Sequence, residues 1–306
     1  MKGLQSGERW AAPVMQDHTD PVEEFESYRP LMMGIAYRML GSAAEAEDVV
    51  QDTYLRYRAV PAESIASKKA FLSTIVTRLS LNRLSSARAR RETYIGPWLP
   101  EPVVTEGDPY MMLTGRGSLD ESISMAFMVL LEELTPYERA VFLLREVFEY
   151  EYAEIAEIVG KEESACRQLF SRARKHIRER RPRFKPDREA HHRLLERFMQ
   201  AVGLGEMDGL IRLLGEDVTM WADGGGKARG AATRPLHGPQ AVAKFVLAST
   251  RLPEETYFAE LREVNGEPAA VIRTAGSVIA VLFIEAEGGR VTTIRTVGNP
   301  DKLGWV

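Results

Sequence analysis

The 306 residues carry a net charge of −4 and are 44% apolar, which gives no global sign of a polyanion partner and allows sizeable cores in two or three domains. The single cysteine, Cys166, excludes a disulfide framework and fits a reducing compartment. The opening stretch lacks the long apolar core of a signal peptide, and no window holds the ~18 consecutive apolar residues of a membrane span. A soluble, cytoplasmic chain with no membrane partner is expected.

Residues 1–20 show no clear period and read as a flexible tail. From Pro21, Phe25, Met32, Ile35 and Met39 recur at helical spacing, and Gly41 is placed to end the segment. Ser42 and Glu45 have capping-box spacing for a second helix, which buries Ala46, Val49, Val50, Tyr54 and Tyr57. Its other face carries Asp48, Gln51, Asp52 and Arg56. A third helix, about 69–90, steps through Leu72, Ile75, Val76, Leu79 and Arg83 and ends in a basic cluster.

Residues 93–118 hold four prolines and four glycines with no sustained period, which makes them a linker. Tyr94, Trp98 and Leu99 are too apolar for a fully solvated one, so part of it is expected to dock. Helices resume near Leu119. Thr135, Pro136 and Glu138 form a capping box with proline at the first helical position. Tyr152, Ile155, Ala156 and Val159 then make a short helix face, Gly160 a turn, and Cys166, Phe170, Ala173 and Ile177 the stripe of a second helix. That is a helix-turn-helix pattern. Ser164, Arg167, Gln168, Ser171, Arg172, Arg174 and Lys175 are left to face outward, and arginine and glutamine are the side chains that read guanine and adenine edges. Eight Lys or Arg fall between Arg172 and Lys185 against one Glu, a density suited to phosphates. The same cluster also suits an ordinary helix C-terminus, where the macrodipole favours cations.

Residues 182–187 read as a Pro-bearing hinge with Asp187 as a helix cap. Two helical runs (about 188–202 and 206–214), a third near 239–250 and four alternating, Gly-punctuated runs to the end predict an α+β domain.

The stretch "FESYRPLMMGIAYRMLGSAAEAEDVVQDTYLRY" resembles the core-polymerase-binding region 2 of extracytoplasmic-function (ECF) sigma factors. "LEELTPYERAVFLLREVFEYEYAEIAEIVGKEESACRQLFSRARKHI" resembles region 4 of the same family, which binds the −35 promoter element. The resemblance implies that Asp48, Gln51, Asp52 and Arg56 meet the clamp helices of the RNA polymerase β′ subunit, with the β subunit as a further contact. A solvated Asp52–Arg56 pair is the plainer reading of the same face. It also implies that Lys68, Lys69, Arg78, Asn82, Arg83 and Arg88 capture the −10 element, and that the outward residues of the helix-turn-helix read the −35 element.

The fold class implied is two all-α sigma domains, 21–92 and 119–181, followed at 188–306 by an NTF2-like α+β cone. The tail, with "WADGGGK" and "NPDKL", resembles the SnoaL-like domain fused to the sigma J type of these factors, whose linker carries "GPWLPEP". Control in cis is implied. It would involve Trp98, Leu99, Pro100, Glu101 and Pro102 of the linker, Asp223, Gly224, Gly225, Gly226 and Lys227 of the glycine loop, and Asn299, Pro300, Asp301, Lys302 and Leu303 near the end. A Lys227–Glu101 contact is one arrangement considered. Three other readings stay open: an enzyme using Asp223 and His237 as proton carriers, a cone holding a small-molecule ligand that the sequence does not name, and a conventional helix-turn-helix regulator. The chain is expected to be no enzyme and a monomer when free, with promoter DNA and polymerase core as partners and no cofactor or metal. The adjacent His191 and His192 are expected to be solvated.

Overall fold

The computed structural model describes residues 20–91, 93–107, 123–180, 187–228, 230–250 and 257–306. The expected tail, the restart near Leu119 and most of the hinge lie outside them, as does the Arg88 side chain.

Helix α1 (Pro21–Leu40) starts with the Asp20 carboxylate accepting the Val22 N–H and stops at Gly41, whose φ of 68° only glycine adopts cheaply. Ser42 accepts the Glu45 N–H and starts α2 (Ala43–Arg58) at once. Helix α3 (Lys68–Arg91) packs across both. Helices α4 (Met125–Glu132) and α5 (Pro136–Phe142) follow, the second with the expected Thr135/Glu138 box. A π-turn at Leu143–Val147 leads to α6 (Tyr152–Val159); Gly160, at φ 67°, turns the chain into α7 (Glu163–Arg180).

One continuous core runs through this half, from Phe25 in α1 to Ile177 in α7. The two helical modules are therefore packed on each other. The Arg139 guanidinium, 2% exposed, donates to the Met39 carbonyl (2.7 Å) and to Glu132 (2.7 Å), and Ser73 shares a hydrogen bond with the Tyr150 hydroxyl (2.6 Å).

Helices α8 (Arg188–Leu204) and α9 (Met207–Leu213) open the C-terminal domain. Strand β1 (Leu214–Asp223), β2 (Leu236–His237), α10 (Pro239–Ser249), β3 (Phe258–Val264), β4 (Glu267–Arg273), β5 (Val278–Glu287) and β6 (Arg290–Val297) complete it. The sheet order is β2-β1-β6-β5-β4-β3, with β1 parallel to β6 and the other pairs antiparallel. Alternation gives the sheet two apolar faces. Val218, Met220, Leu282, Ile284 and Ile294 meet α8, α9 and α10, as expected of a cone. The opposite face, with Ala269, Val271, Val281, Phe283 and Val297, packs instead on Leu99 of the linker and Met125 of α4.

His191 corrects the expectation of solvation. It is 9% exposed, and burial holds its pKa below the ordinary value against a hydrogen bond to the Ile284 backbone. His192 is half-exposed beside Glu196.

Candidate functional site

Four surfaces contain the residues singled out in the sequence. On α2, Asp48, Gln51 and Arg56 are exposed and Asp52 is partly so. Asp52 does not turn to Arg56. The Arg83 guanidinium reaches over from α3 and donates to Asp48 (3.1 Å), Asp52 (3.2 Å) and the Glu45 carbonyl (3.3 Å). Arg83, grouped with the −10 set from the resemblance, is thus placed on the acidic face of α2. Leu55, 64% exposed, lies on the same helix and was not singled out from sequence.

Of the rest of that set, Arg78 and Lys69 face the second module. Arg78 donates to the Ile158 (2.9 Å) and Glu157 (2.8 Å) carbonyls, so it closes the C-terminal end of α6. Lys69 sits 4.9 Å from the Tyr150 ring centre, and Lys68 pairs with Glu24. Asn82 is exposed.

On α7 the division is clear. Cys166, Leu169, Ala173 and Ile177 are buried, while Ser164, Arg167, Gln168, Ser171, Arg172, Arg174 and Lys175 are all exposed. Arg167 pairs with Glu163 and lies 4.3 Å over the Tyr152 ring, and Arg172 pairs with Glu138 (3.3 Å).

The fourth surface is the seam along the linker. Residues 94–103 run between α1–α2 and the C-terminal domain. Glu101, 7% exposed, aims its carboxylate at the N-terminus of α2, where it accepts from Ser42 Oγ (2.7 Å), Ala43 N (2.7 Å) and Ala44 N (3.2 Å). Its backbone donates to the Gly41 carbonyl (2.9 Å). Trp98 lies against Gly41, where an added Cβ would meet the indole at 2.7 Å. Pro100 and Pro102 are buried on either side of Glu101.

From the other side Asp223, fully buried, accepts the Leu99 N–H (2.8 Å), the Tyr94 hydroxyl and Lys302 Nζ (2.6 Å). Lys302 also donates to the Leu99 carbonyl and faces the Trp98 and Tyr94 rings at 4.1 and 5.0 Å. Burial and Asp223 together push the Tyr94 hydroxyl pKa up. Asn299 donates to the Tyr94 hydroxyl (2.8 Å), its backbone N–H bonds the Asp223 carbonyl (3.0 Å), and Leu303 joins the apolar face. Gly225 sits where any Cβ would strike the Asn299 amide at 2.3 Å. Gly224 accepts the Lys227 N–H (2.8 Å) and Gly226 lies against Ile95. Pro300 opens the short turn that carries Asp301 and Lys302.

The Lys227–Glu101 contact is not formed. Lys227 pairs with Asp301 at the exposed tip, and Glu101 is spent on α2. Asp223 and His237 do not form a catalytic pair: Asp223 is held by the linker, and His237 is exposed beside Thr219 (3.3 Å). Among the described residues no group of three or more His, Cys, Asp or Glu could hold a metal, and no helix is long and apolar enough to cross a membrane.

Comparison with known proteins agrees with this architecture. Residues 25–90 match the family model "Sigma-70 region 2" and residues 124–177 match "Sigma-70, region 4". The chain is 39% identical over 294 residues to "ECF RNA polymerase sigma factor SigJ" of Mycobacterium tuberculosis, covering 92% of this chain and 93% of that protein. It is 31% identical over 293 residues to "Probable ECF RNA polymerase sigma factor SigI" of the same species, covering 94% and 97%. The crystal structure of M. tuberculosis SigJ superposes with a TM-score of 0.71 at 36% identity, covering 92% of this chain and 97% of that one. A region 2 and a region 4 in one chain, joined to a C-terminal α+β domain and matched end to end by such relatives, make this protein a member of the ECF RNA polymerase sigma factor family.

Proposed function

We propose that the chain binds the RNA polymerase core and directs it to a specific promoter, and that its C-terminal domain controls this activity in cis. The observation that carries the first part is the exposed face of α7. Seven polar and basic side chains there are exposed while Cys166, Leu169, Ala173 and Ile177, three or four apart, are buried, which suits a recognition helix in a major groove. The acidic face of α2, with Leu55 at its edge, suits a basic helical partner such as the polymerase clamp helices.

The seam along residues 94–105 supports control in cis. It ties the linker to both halves through buried, charge-assisted hydrogen bonds, so whatever loosens the C-terminal domain leaves the linker held on its α1–α2 side only. The packing of α3 on α6 gives that control an object. Elements named −10 and −35 lie on the order of 85 Å apart along B-DNA at ~3.4 Å per base pair. The longest helix of the region, 24 residues, spans only about 36 Å. Regions 2 and 4 must part to reach both elements, and parting uncovers Lys69 and Arg78.

Transcription in vitro with bacterial core polymerase, on the promoter of the protein's own gene and on a random-promoter pool, tests the proposal. Initiation that depends on the protein supports it. DNA binding without any initiation favours a conventional regulator.

A further inference from the structure

The β3–β4 connection reads as an ordinary tight hairpin. Asn265 and Gly266 both have positive φ, 53° and 68°, the conformation for which Asn-Gly is the preferred pair. Hairpin tips normally lie in solvent. Asn265 is instead fully buried, and each polar atom of its side chain is used. Oδ1 accepts the Val103 N–H (2.9 Å). Nδ2 donates to the Tyr37 hydroxyl (2.6 Å) and to the Ile123 carbonyl (2.9 Å). Tyr37, fully buried in α1, donates its hydroxyl to the Glu101 carbonyl (2.7 Å). One amide thus touches region 2, the linker and the approach to region 4. Two residues on, the Glu267 carboxylate accepts the Met125 N–H (2.8 Å) at the start of α4, and the Met125 side chain is buried against Val264, Ala269 and Val271.

We propose that the Val264–Glu267 turn is an interaction site for the first helix of region 4, and that Asn265 makes its release conditional on release of region 2 and the linker. The seam at Asp223 grips the linker; this second site grips the −35 module itself. Region 4 cannot swing away from region 2 while the Ile123 carbonyl and Met125 amide are held. The regulatory meaning of this site rests on the cis-control reading above, whereas the grip itself does not.

Asn265→Gly is the incisive variant, because glycine keeps both positive φ values and deletes only the amide. Tyr37→Phe, which removes a single hydroxyl, serves as the second. Hydrogen exchange is followed on the full chain, with Asp223→Asn as a reference that loosens the linker. Asn265→Gly is expected to speed exchange of the 123–130 amides by at least about tenfold, the loss of three buried hydrogen bonds, while β5 and β6 stay protected. Tyr37→Phe is expected to shift the same amides less. Unchanged exchange over 123–130 in Asn265→Gly and Tyr37→Phe overturns the site, as does opening of that segment by Asp223→Asn alone. If the segment opens in Asn265→Gly while promoter output equals that of the unaltered chain, the grip stands and the cis-control reading fails.

Discussion

Replacing Asp223 by asparagine leaves the shape of the seam and removes the buried negative charge beside Lys302. Lys302, with a side chain 8% exposed, then loses its carboxylate partner. Stranding one partner of a buried pair costs about 3–5 kcal/mol. The Leu99 carbonyl and the Trp98 and Tyr94 rings still receive that ammonium, offsetting about 1–2 kcal/mol. A net loss of roughly 1–4 kcal/mol corresponds to about 5- to 900-fold in the docking equilibrium. Hydrogen exchange of the 98–105 amides in the full chain reads this directly, since the Leu99 amide itself bonds Asp223. Lys302→Met should cost less than its partner variant, because Asp223 keeps the Leu99 and Tyr94 donors, and the double variant should cost less than the sum. Protection of the linker unchanged within about threefold, below the shift expected at ~1.4 kcal/mol per decade, would refute the reasoning.

Gly41→Ala forces a side chain into φ 68° against the indole of Trp98, and is expected to lower stability by about 1–2 kcal/mol in urea unfolding while exposing the linker to protease. Arg167→Ala should weaken −35 duplex binding by about 1 kcal/mol, the low end for a base contact, because Glu163 and Tyr152 already compete for the guanidinium. Glu163→Gln should strengthen the same binding in a fluorescence titration. Burial raises the Glu267 pKa from 4.5 to about 7, against the Met125 amide and Arg295, which lower it. The docked form therefore takes up a proton that the undocked form leaves in solution. Docking should strengthen as pH falls from about 7 toward 4.5, with a slope of up to ~1.4 kcal/mol per unit; as pH rises through 7 this proton-linked increment is lost while the other contacts remain. Glu267→Gln should flatten that dependence in pH-resolved linker proteolysis.

What the sequence disclosed and what it withheld divide along sequence distance. The Thr135–Glu138 box, the Gly41 and Gly160 stops and the α7 stripe are set within a few residues, where periodicity and capping chemistry act, and all are present. Strands β3 to β6 follow from the four alternating runs and their turns, whereas β1, β2 and the parallel β1–β6 pairing across the domain are not among the elements read from the sequence. The seam was legible as a set of residues through resemblance, but its pairing was not. Lys227 and Glu101 look like complementary charges, yet the α2 N-terminus outbids the ammonium for the carboxylate. The pairing of Arg83 was not legible because its partners stand 31 and 35 positions away. Asn265 and Tyr37, 228 positions apart, carried no signal at all. An Asn-Gly turn explains itself locally, and a tyrosine inside an apolar helix reads as packing. His191 was misjudged because its partner is a strand backbone far along the chain.

The central claim is a promoter-directing protein governed by its own C-terminal domain. Residues Phe25–Ile177 share one core, with Leu99 and Met125 packed instead on the C-terminal sheet, so a form ending at Asp187 keeps both sigma regions and most of their packing. The most direct measurement is in-vitro transcription with core polymerase, comparing that form with the full chain on one template. The account predicts initiation from the same start site by both, dependent on the protein, with clearly different yields. Equal yields would contradict control in cis, and no initiation by either form on any promoter of a random pool would contradict the account as a whole.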